Sequence, residues 1–158
     1  MSYILAIDPA TQYGLAVLDH HGQRIQSCSE RLGASEIAKK LGKWAGFYCR
    51  VDALIVFLKD TGGLDIVAFE EPIRYGLRSP NFISPQLCGI IMAICEIRNV
   101  AYVSAHNASV KKHATGNGQA KKPEILAAAR KRWGHVKDDN EADALWIADW
   151  VRVNMEDE

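Results

Sequence analysis

Acidic residues at the ends of apolar segments are the groups in this sequence best suited to chemistry. Asp8 directly follows the apolar run 3–7, and Glu70 directly follows a second run, 65–69. A third acidic group, residues 138–143, opens the last helical segment. Carboxylates beside buried strands are costly unless they are paired or bound to a metal ion. Three such sites on separate elements therefore predict a centre for divalent cations.

The last helical segment is expected to direct one of its acids inward. Asp139 and Asp143 are four residues apart and share a helix face. Trp146, Ile147 and Trp150 continue the stripe of Asp143, so this carboxylate should point toward the body of the protein. Because no basic residue stands at helical spacing to neutralise it, a shared hard cation is the expected partner.

A set of oxygen ligands such as these carboxylates suits Mg²⁺. Two ions held by four carboxylates would form a phosphodiesterase centre, in which one ion activates the attacking water and the other stabilises the leaving 3′ oxygen. Taken singly, each acid is equally typical of a structural cap, so the prediction rests on the combination. The candidate metal ligands and catalytic residues are Asp8, Glu70, Asp139 and Asp143.

The charge distribution indicates the substrate. Net charge is zero, but residues 98–137 contain nine basic residues and one acid, whereas residues from 138 onward contain eight acids and one base. A basic segment beside an acidic one fits a protein that binds phosphates and also holds metal ions, although a solvated charged surface has the same composition.

Two groups of residues are candidates for DNA contacts. Lysines flank the glycine loop 116–118, whose backbone amides could approach phosphates. In the segment after Glu70, an arginine could bind phosphate and a tyrosine could stack on an exposed base. A loop with solvated lysines and a surface tyrosine are the structural alternatives. The candidates are Lys111, Lys112, Lys121, Lys122, Arg74 and Tyr75.

Composition and length predict a single intracellular domain. The chain has 158 residues, of which 48% are hydrophobic and 24% charged, which is the ordinary globular range. Neither a membrane-spanning run nor a secretory leader is recognisable, so we expect a soluble intracellular protein with no membrane partner. The four cysteines form no CxxC pair, which favours free thiols over zinc or disulfides.

Apolar spacing predicts a mixed α/β domain over residues 1–158. The expected sheet has five strands, three antiparallel at the N-terminus and two parallel, with helices on its flanks. Ser35 should cap one long helix over 35–58, and Ser84 should cap another that carries apolar residues to position 97. Expected strands are 3–7, 14–19, 24–29, 65–69 and 101–104; further helices are 107–113, 123–133 and 139–154.

Four motifs resemble those of RuvC-type Holliday junction resolvases, in the same order and over most of the chain. They are Ile7-Asp8-Pro9 with Gly14-Leu-Ala-Val, Ala68-Phe-Glu70-Glu71, Val110-Lys111 with the segment 115–122, and Asn140-Glu-Ala-Asp143 continuing to Ala148. The resemblance implies an RNase H-like fold, a homodimer, and Mg²⁺- or Mn²⁺-dependent cutting of four-way DNA junctions in recombination and repair. Paired symmetric nicks would leave 5′-phosphates.

The resemblance also assigns residues. It implies that Asp8, Glu70 and Asp143 are metal ligands and that Lys111 and Lys122 lie nearest the centre. Glu70 is preferred to its neighbour Glu71 because it directly follows the strand.

Departures from the family pattern favour a phage-encoded branch, so the expected location is the cytoplasm of a bacterial cell or a phage-infected host. Asn140 stands where cellular members have a fourth acid or a histidine. Asp139 is the nearest substitute, while Asp138, Asn140 and Glu141 remain alternatives. Ala10 replaces a usual glycine, and Ile73 stands where an aromatic ring is common.

Other activities stay open from the sequence alone. A broader debranching nuclease would cut flaps, forks and replication intermediates. An actin-like phosphotransferase could use Asp8 and Gly14 around nucleotide phosphates, although such folds usually need a duplicated domain. A non-catalytic protein that binds junctions would need none of the carboxylates.

Overall fold

The computed structural model describes residues 2–72 and 82–155, and its centre is a five-stranded sheet. The first three strands are antiparallel, and the last two run parallel to the first, which confirms the expected fold class. In sheet order β3-β2-β1-β4-β5, the strands are Arg24–Arg31, Gln12–Asp19, Tyr3–Asp8, Leu64–Glu70 and Ala101–Ala105.

Six helices surround the sheet within the described residues. In chain order, α1 to α6 are Glu36–Leu41, Lys43–Thr61, Ile83–Arg98, Asn107–Thr115, Lys122–Trp133 and Asp139–Met155. None of them is long and apolar enough to cross a membrane. All four cysteines are free, as expected; Cys88 and Cys95 are buried, and Cys28 and Cys49 are partly buried.

Two helix predictions were wrong in detail. The expected helix over 35–58 is two helices, because Gly42 adopts φ 98° between α1 and α2, a conformation that interrupts the helical hydrogen bonds. Ser35 does cap α1, since its side chain accepts a hydrogen bond from the backbone N–H of Ala38 at 3.1 Å. Ser84 is not a cap: α3 begins one residue earlier, after Phe82.

The sheet has a hydrophobic core on each face. Ile4 and Ala6 of β1 pack toward α4, α5 and α6, whereas Leu5 and Ile7 pack toward α2 and α3. This alternation is the two-residue period of a strand, and it produces a three-layer domain. Asp8 continues the series of Ile4 and Ala6, so its side chain belongs to the α6 side of the sheet.

Small residues let α6 approach the sheet closely. Ala6, Ala16 and Ala68 form the middle of this face, and all three are fully buried. At Gly14 the contact is tightest, since a Cβ there would lie 1.9 Å from the backbone oxygen of Asn140. Gly14 pairs with Asp8 in the sheet, so the start of α6 is held directly beside the carboxyl end of β1.

Candidate metal centre

Asp8 and Glu70 lie side by side at one edge of the sheet. Both are the last residues of their strands, and the parallel register of β1 and β4 places Ile7 opposite Phe69 immediately before them. Glu70 follows Ala68 by two residues and therefore shares the sheet face of Asp8. Asp8 is buried at 5% exposure, and Glu70 is partly buried.

Helix α6 completes the acidic group. Asp143 stands one turn into this helix and faces the same cavity as Asp8 and Glu70. This cavity has a volume of about 350 Å³. Asn140, one turn earlier, also lines it. The structure thus brings together the three carboxylates that the motifs singled out, from β1, β4 and α6. The polar side chains that line the cavity are Asp8, Glu70, Glu71, Ser84, Asn107, Lys111, Lys122, Asn140 and Asp143.

The proton affinity of all three carboxylates is raised. Burial is the largest cause and raises the pKa of Asp8 well above its ordinary value; the charges of Asp143 and Glu70 add to it. Burial also raises the pKa of Glu70. The pKa of Asp143 rises to about 7, first through burial and then through the charge of Glu70. The group is therefore costly in its charged form and would be stabilised by a cation.

Two of the four candidate DNA-binding lysines reach this cavity. Lys111 comes from α4 and Lys122 from the start of α5, and both line it. Their charges lower the pKa of Glu70 and Asp143, although less than burial raises it. Lys112 and Lys121 do not line the cavity and are exposed beside the glycine loop. Arg74 and Tyr75 lie outside the described residues.

The other acids at the start of α6 contact different partners. Asp138 caps the helix by accepting the backbone N–H of Glu141 at 3.0 Å, and it also accepts the hydroxyl of Ser29 at 2.5 Å. Glu141 is buried, where it accepts the hydroxyl of Ser27 at 2.5 Å. Both side chains therefore anchor α6 to β3.

Asp139 pairs with the ammonium of Lys122 and does not line the cavity. Its role as the fourth ligand stays a prediction. Asn140 is the residue at the start of α6 that does face the three carboxylates.

Asn107 is a cavity residue that the motifs did not identify. Its carboxamide nitrogen donates a hydrogen bond to Oε1 of Glu70. The sequence marks Asn107 only weakly, as a polar residue shortly after the strand that ends at Ala105. Only the pairing of Glu70 with Ala105 in the sheet brings the two side chains together.

The donor set fits a hard divalent cation in chemistry. All the candidate ligand atoms are oxygens, which hard cations prefer. Burial destabilises the charged forms of three of the candidate residues, Asp8, Glu70 and Asp143. Within residues 2–72 and 82–155, no three His, Cys, Asp or Glu side chains are already arranged so that they could hold an ion. A hydrogen bond between Asp8 and Glu70 raises the pKa of Asp8 and lowers that of Glu70.

Comparison with known proteins supports the fold. No family model and no curated protein matches the sequence. The structure of RuvC from Thermus thermophilus matches with a TM-score of 0.75 at 21% identity, covering 98% of this chain and 96% of that one. T. thermophilus RuvC in complex with Holliday junction substrate matches with the same TM-score and identity, over 96% of each chain. The chain therefore has a RuvC-like, RNase H-like fold.

Proposed function

We propose that this chain is a metal-dependent endonuclease that resolves four-way DNA junctions. One observation carries the proposal: Asp8, Glu70 and Asp143, from three separate elements, converge on one cavity together with Lys111 and Lys122. Carboxylates for cations beside lysines for phosphates are what hydrolysis of a phosphodiester requires. The match to a RuvC protein bound to Holliday junction substrate supports branched DNA as the substrate.

Asp8, Glu70 and Asp143 would hold Mg²⁺ or Mn²⁺, and we propose two ions per site. When bound, such ions supply an activated water and neutralise the charge that develops on the leaving 3′ oxygen. Lys111 and Lys122 would neutralise the phosphate that enters the cavity, while Lys112 and Lys121 would hold the neighbouring backbone phosphates. Because these are charge contacts, DNA binding should weaken steeply with added salt.

In this proposal Asp139 serves as the fourth carboxylate. It lies one helical turn before Asp143, but it would have to leave Lys122 to reach the ions. Comparing Asp139→Asn with Asn140→Ala assigns the fourth position. Loss of Mn²⁺ affinity in the first variant supports Asp139, and loss only in the second assigns the position to Asn140.

The active form would be a homodimer of the single nuclease domain 1–158. Two protomers would nick opposite strands symmetrically and leave 5′-phosphates that a ligase can seal. Departures at Ala10 and Asn140 favour a phage-encoded branch of the RuvC-like nucleases. Sedimentation of the protein alone and bound to a synthetic junction tests the dimer.

Cleavage of a synthetic four-way junction with Mg²⁺, Mn²⁺ or EDTA tests the activity. Wild type should give paired nicks with either metal and none with EDTA. Asp8→Asn should lose at least about 100-fold in rate, because it removes charge at the point where the ions would bind. Three-way and flap substrates run in parallel measure how strict the junction preference is.

Each contrary outcome points to another activity. Equal cutting of flaps and four-way junctions would indicate the broader debranching nuclease. Junction binding with no cutting under any metal, unchanged in Asp8→Asn, would indicate a non-catalytic junction-binding protein. Turnover of ATP without DNA cleavage would indicate a phosphotransferase.

A further inference from the structure

Asn107 contacts one of the three cavity carboxylates through a neutral donor. It is the first residue of α4, and its carboxamide nitrogen donates to Oε1 of Glu70. The side chain is partly buried and lines the same cavity as Asp143 and Lys111. The contact depends on the sheet, because Ala105 pairs with Glu70 and the chain turns at His106 to start the helix.

A neutral hydrogen-bond donor can hold the Glu70 carboxylate in place without repelling a cation, whereas the neighbouring lysines cannot. Lys111 and Lys122 stabilise the charge of Glu70, but each also repels a cation that approaches the same carboxylate. A carboxamide carries no net charge, so it can fix the carboxylate without opposing a metal ion. Partners of this kind orient metal ligands, and their removal typically costs about 10-fold to 100-fold in metal affinity.

We infer that Asn107 is a positioning residue that orients Glu70 for metal binding. Its bond occupies Oε1 and leaves Oε2 of the same carboxylate for a cation shared with Asp8 and Asp143. The inference rests on the proposed metal-dependent function, and it concerns a residue outside the motifs that suggested that function.

Substitution at this position should leave the fold intact. Asn107 contributes no cap, since α4 begins after His106 and the side chain bonds outward to Glu70. Leucine has the same number and branching of side-chain heavy atoms and is a better helix former, whereas glutamine keeps the carboxamide on a longer arm. Asn154 offers a matched control, because it is exposed near the far end of α6.

Mn²⁺ titration by calorimetry, without DNA, tests the inference on the full chain. Asn107→Leu should bind Mn²⁺ about 10-fold or more weakly, and Asn107→Gln should recover part of this loss. Asn154→Leu should bind like wild type. The urea midpoint without metal and the affinity for a junction in EDTA should stay unchanged in all three variants.

The outcomes separate the inference from the function on which it rests. Wild-type affinity in Asn107→Leu would overturn the positioning role while leaving the nuclease proposal standing. A fall in affinity matched by a fall in the urea midpoint, with Asn107→Gln as weak as Asn107→Leu, would also overturn it, because packing would explain the loss. Absence of Mn²⁺ binding by wild type would overturn both.

Discussion

Helix α6 carries two carboxylates, the partly buried Asp143 and the fully buried Asp149, whose surroundings are opposite. Asp143 faces the cavity with two other carboxylates, and its pKa is raised to about 7, chiefly by burial. Asp149 lies six residues later, about 9 Å along the helix axis. It is fully buried, but its pKa is lowered: burial alone would raise it, and hydrogen bonds and positive charges outweigh that effect.

Three basic side chains surround Asp149. His113 Nε2 lies 2.7 Å from its Oδ2, and Arg132 donates to Oδ1 at 2.7 Å. Arg152 donates to the same oxygen at 3.0 Å. This cluster, the Asp149 hub, joins α4, α5 and α6. His113 therefore serves the hub, and the sequence alone does not reveal this.

The difference shows where the molecule accepts an electrostatic cost. At the Asp149 hub, two arginines and a histidine from three helices surround one buried carboxylate. At the cavity, the carboxylates of Asp8, Glu70, Glu71 and Asp143 outnumber the two lysines, Lys111 and Lys122. Titratable groups with strongly shifted pKa values are concentrated at functional sites, where the arrangement that a reaction needs lowers the stability of the fold.

Removing the hub carboxylate should give the largest change in stability. Asp149→Asn keeps the shape but leaves Arg132 and Arg152 without their buried counter-charge, so the free energy of unfolding should fall by about 3 kcal/mol. Urea unfolding with and without Mn²⁺ measures this, and the loss should be the same in both. Glu36→Gln, in an exposed pair with Lys39, should change stability by less than about 0.5 kcal/mol. An equal loss in both variants would contradict the contrast.

The sequence predicted the cavity better than the hub, for a physical reason. Asp8 and Glu70 follow apolar runs, so a local pattern marks them, and a parallel sheet necessarily brings such strand ends to one edge. Arg152 follows Asp149 by three residues on the same helix, but the other two partners, His113 and Arg132, lie 36 and 17 residues away, and no local period connects them. Only the packing of three helices completes the hub.

The fourth position shows the same limit. Asp139 and Asn140 are both one turn before Asp143, so helical spacing allows either of them to face the cavity. In the structure Asn140 lines the cavity, whereas Asp139 pairs with Lys122 of α5, and the sequence does not show this pairing. Gly42 is a related case: its positive φ is a local property, but the apolar stripe continues across it and so predicts one helix.

Displacing the start of α6 should disturb the cavity more than the hub. In Gly14→Ala the new methyl group would lie 1.9 Å from the backbone oxygen of Asn140, so the helix must shift. We expect a loss of about 2 kcal/mol in the free energy of unfolding, together with weaker Mn²⁺ binding as Asp143 moves. Urea unfolding and Mn²⁺ titration measure the two effects.

Gly89→Ala is the matched control for Gly14→Ala. Gly89 lies within α3, and a Cβ there would meet nothing within 4 Å. Alanine should therefore stabilise the protein by about 0.5–1 kcal/mol and leave Mn²⁺ binding unchanged. Unaltered stability and Mn²⁺ affinity in Gly14→Ala would show that the close approach of α6 does not position Asp143.

Neutralising the cavity carboxylate should have the opposite sign to neutralising the hub carboxylate. Asp143→Asn removes a charge that burial and Glu70 disfavour, so metal-free protein at pH 8 should gain about 1–2 kcal/mol. The same variant should lose the stabilisation that Mn²⁺ gives to wild type. Thermal unfolding with EDTA and with Mn²⁺ measures both. Destabilisation of the metal-free variant would mean that the cavity charges are already balanced.

The contributions of the cavity and of the Asp149 hub to the free energy of unfolding should change in different pH ranges. This is the smallest of the expected effects. The folded pKa of Asp143 is about 7 against an ordinary value of 3.8, so its stabilising contribution is complete below about pH 4 and is lost as pH rises toward 7. The folded pKa of Asp149 is lowered, so its contribution is present above about pH 4 and is lost only on further acidification. Metal-free wild type should therefore be about 1 kcal/mol more stable at pH 5 than at pH 8, after allowance for solvent screening at the open cavity. Urea unfolding at both pH values should show the full difference in Asp149→Asn and a smaller one in Asp143→Asn, where Asp8 and Glu70 still have raised pKa values. An undiminished difference in Asp143→Asn would place its origin outside this carboxylate, and one that vanishes in Asp149→Asn would place it at the hub.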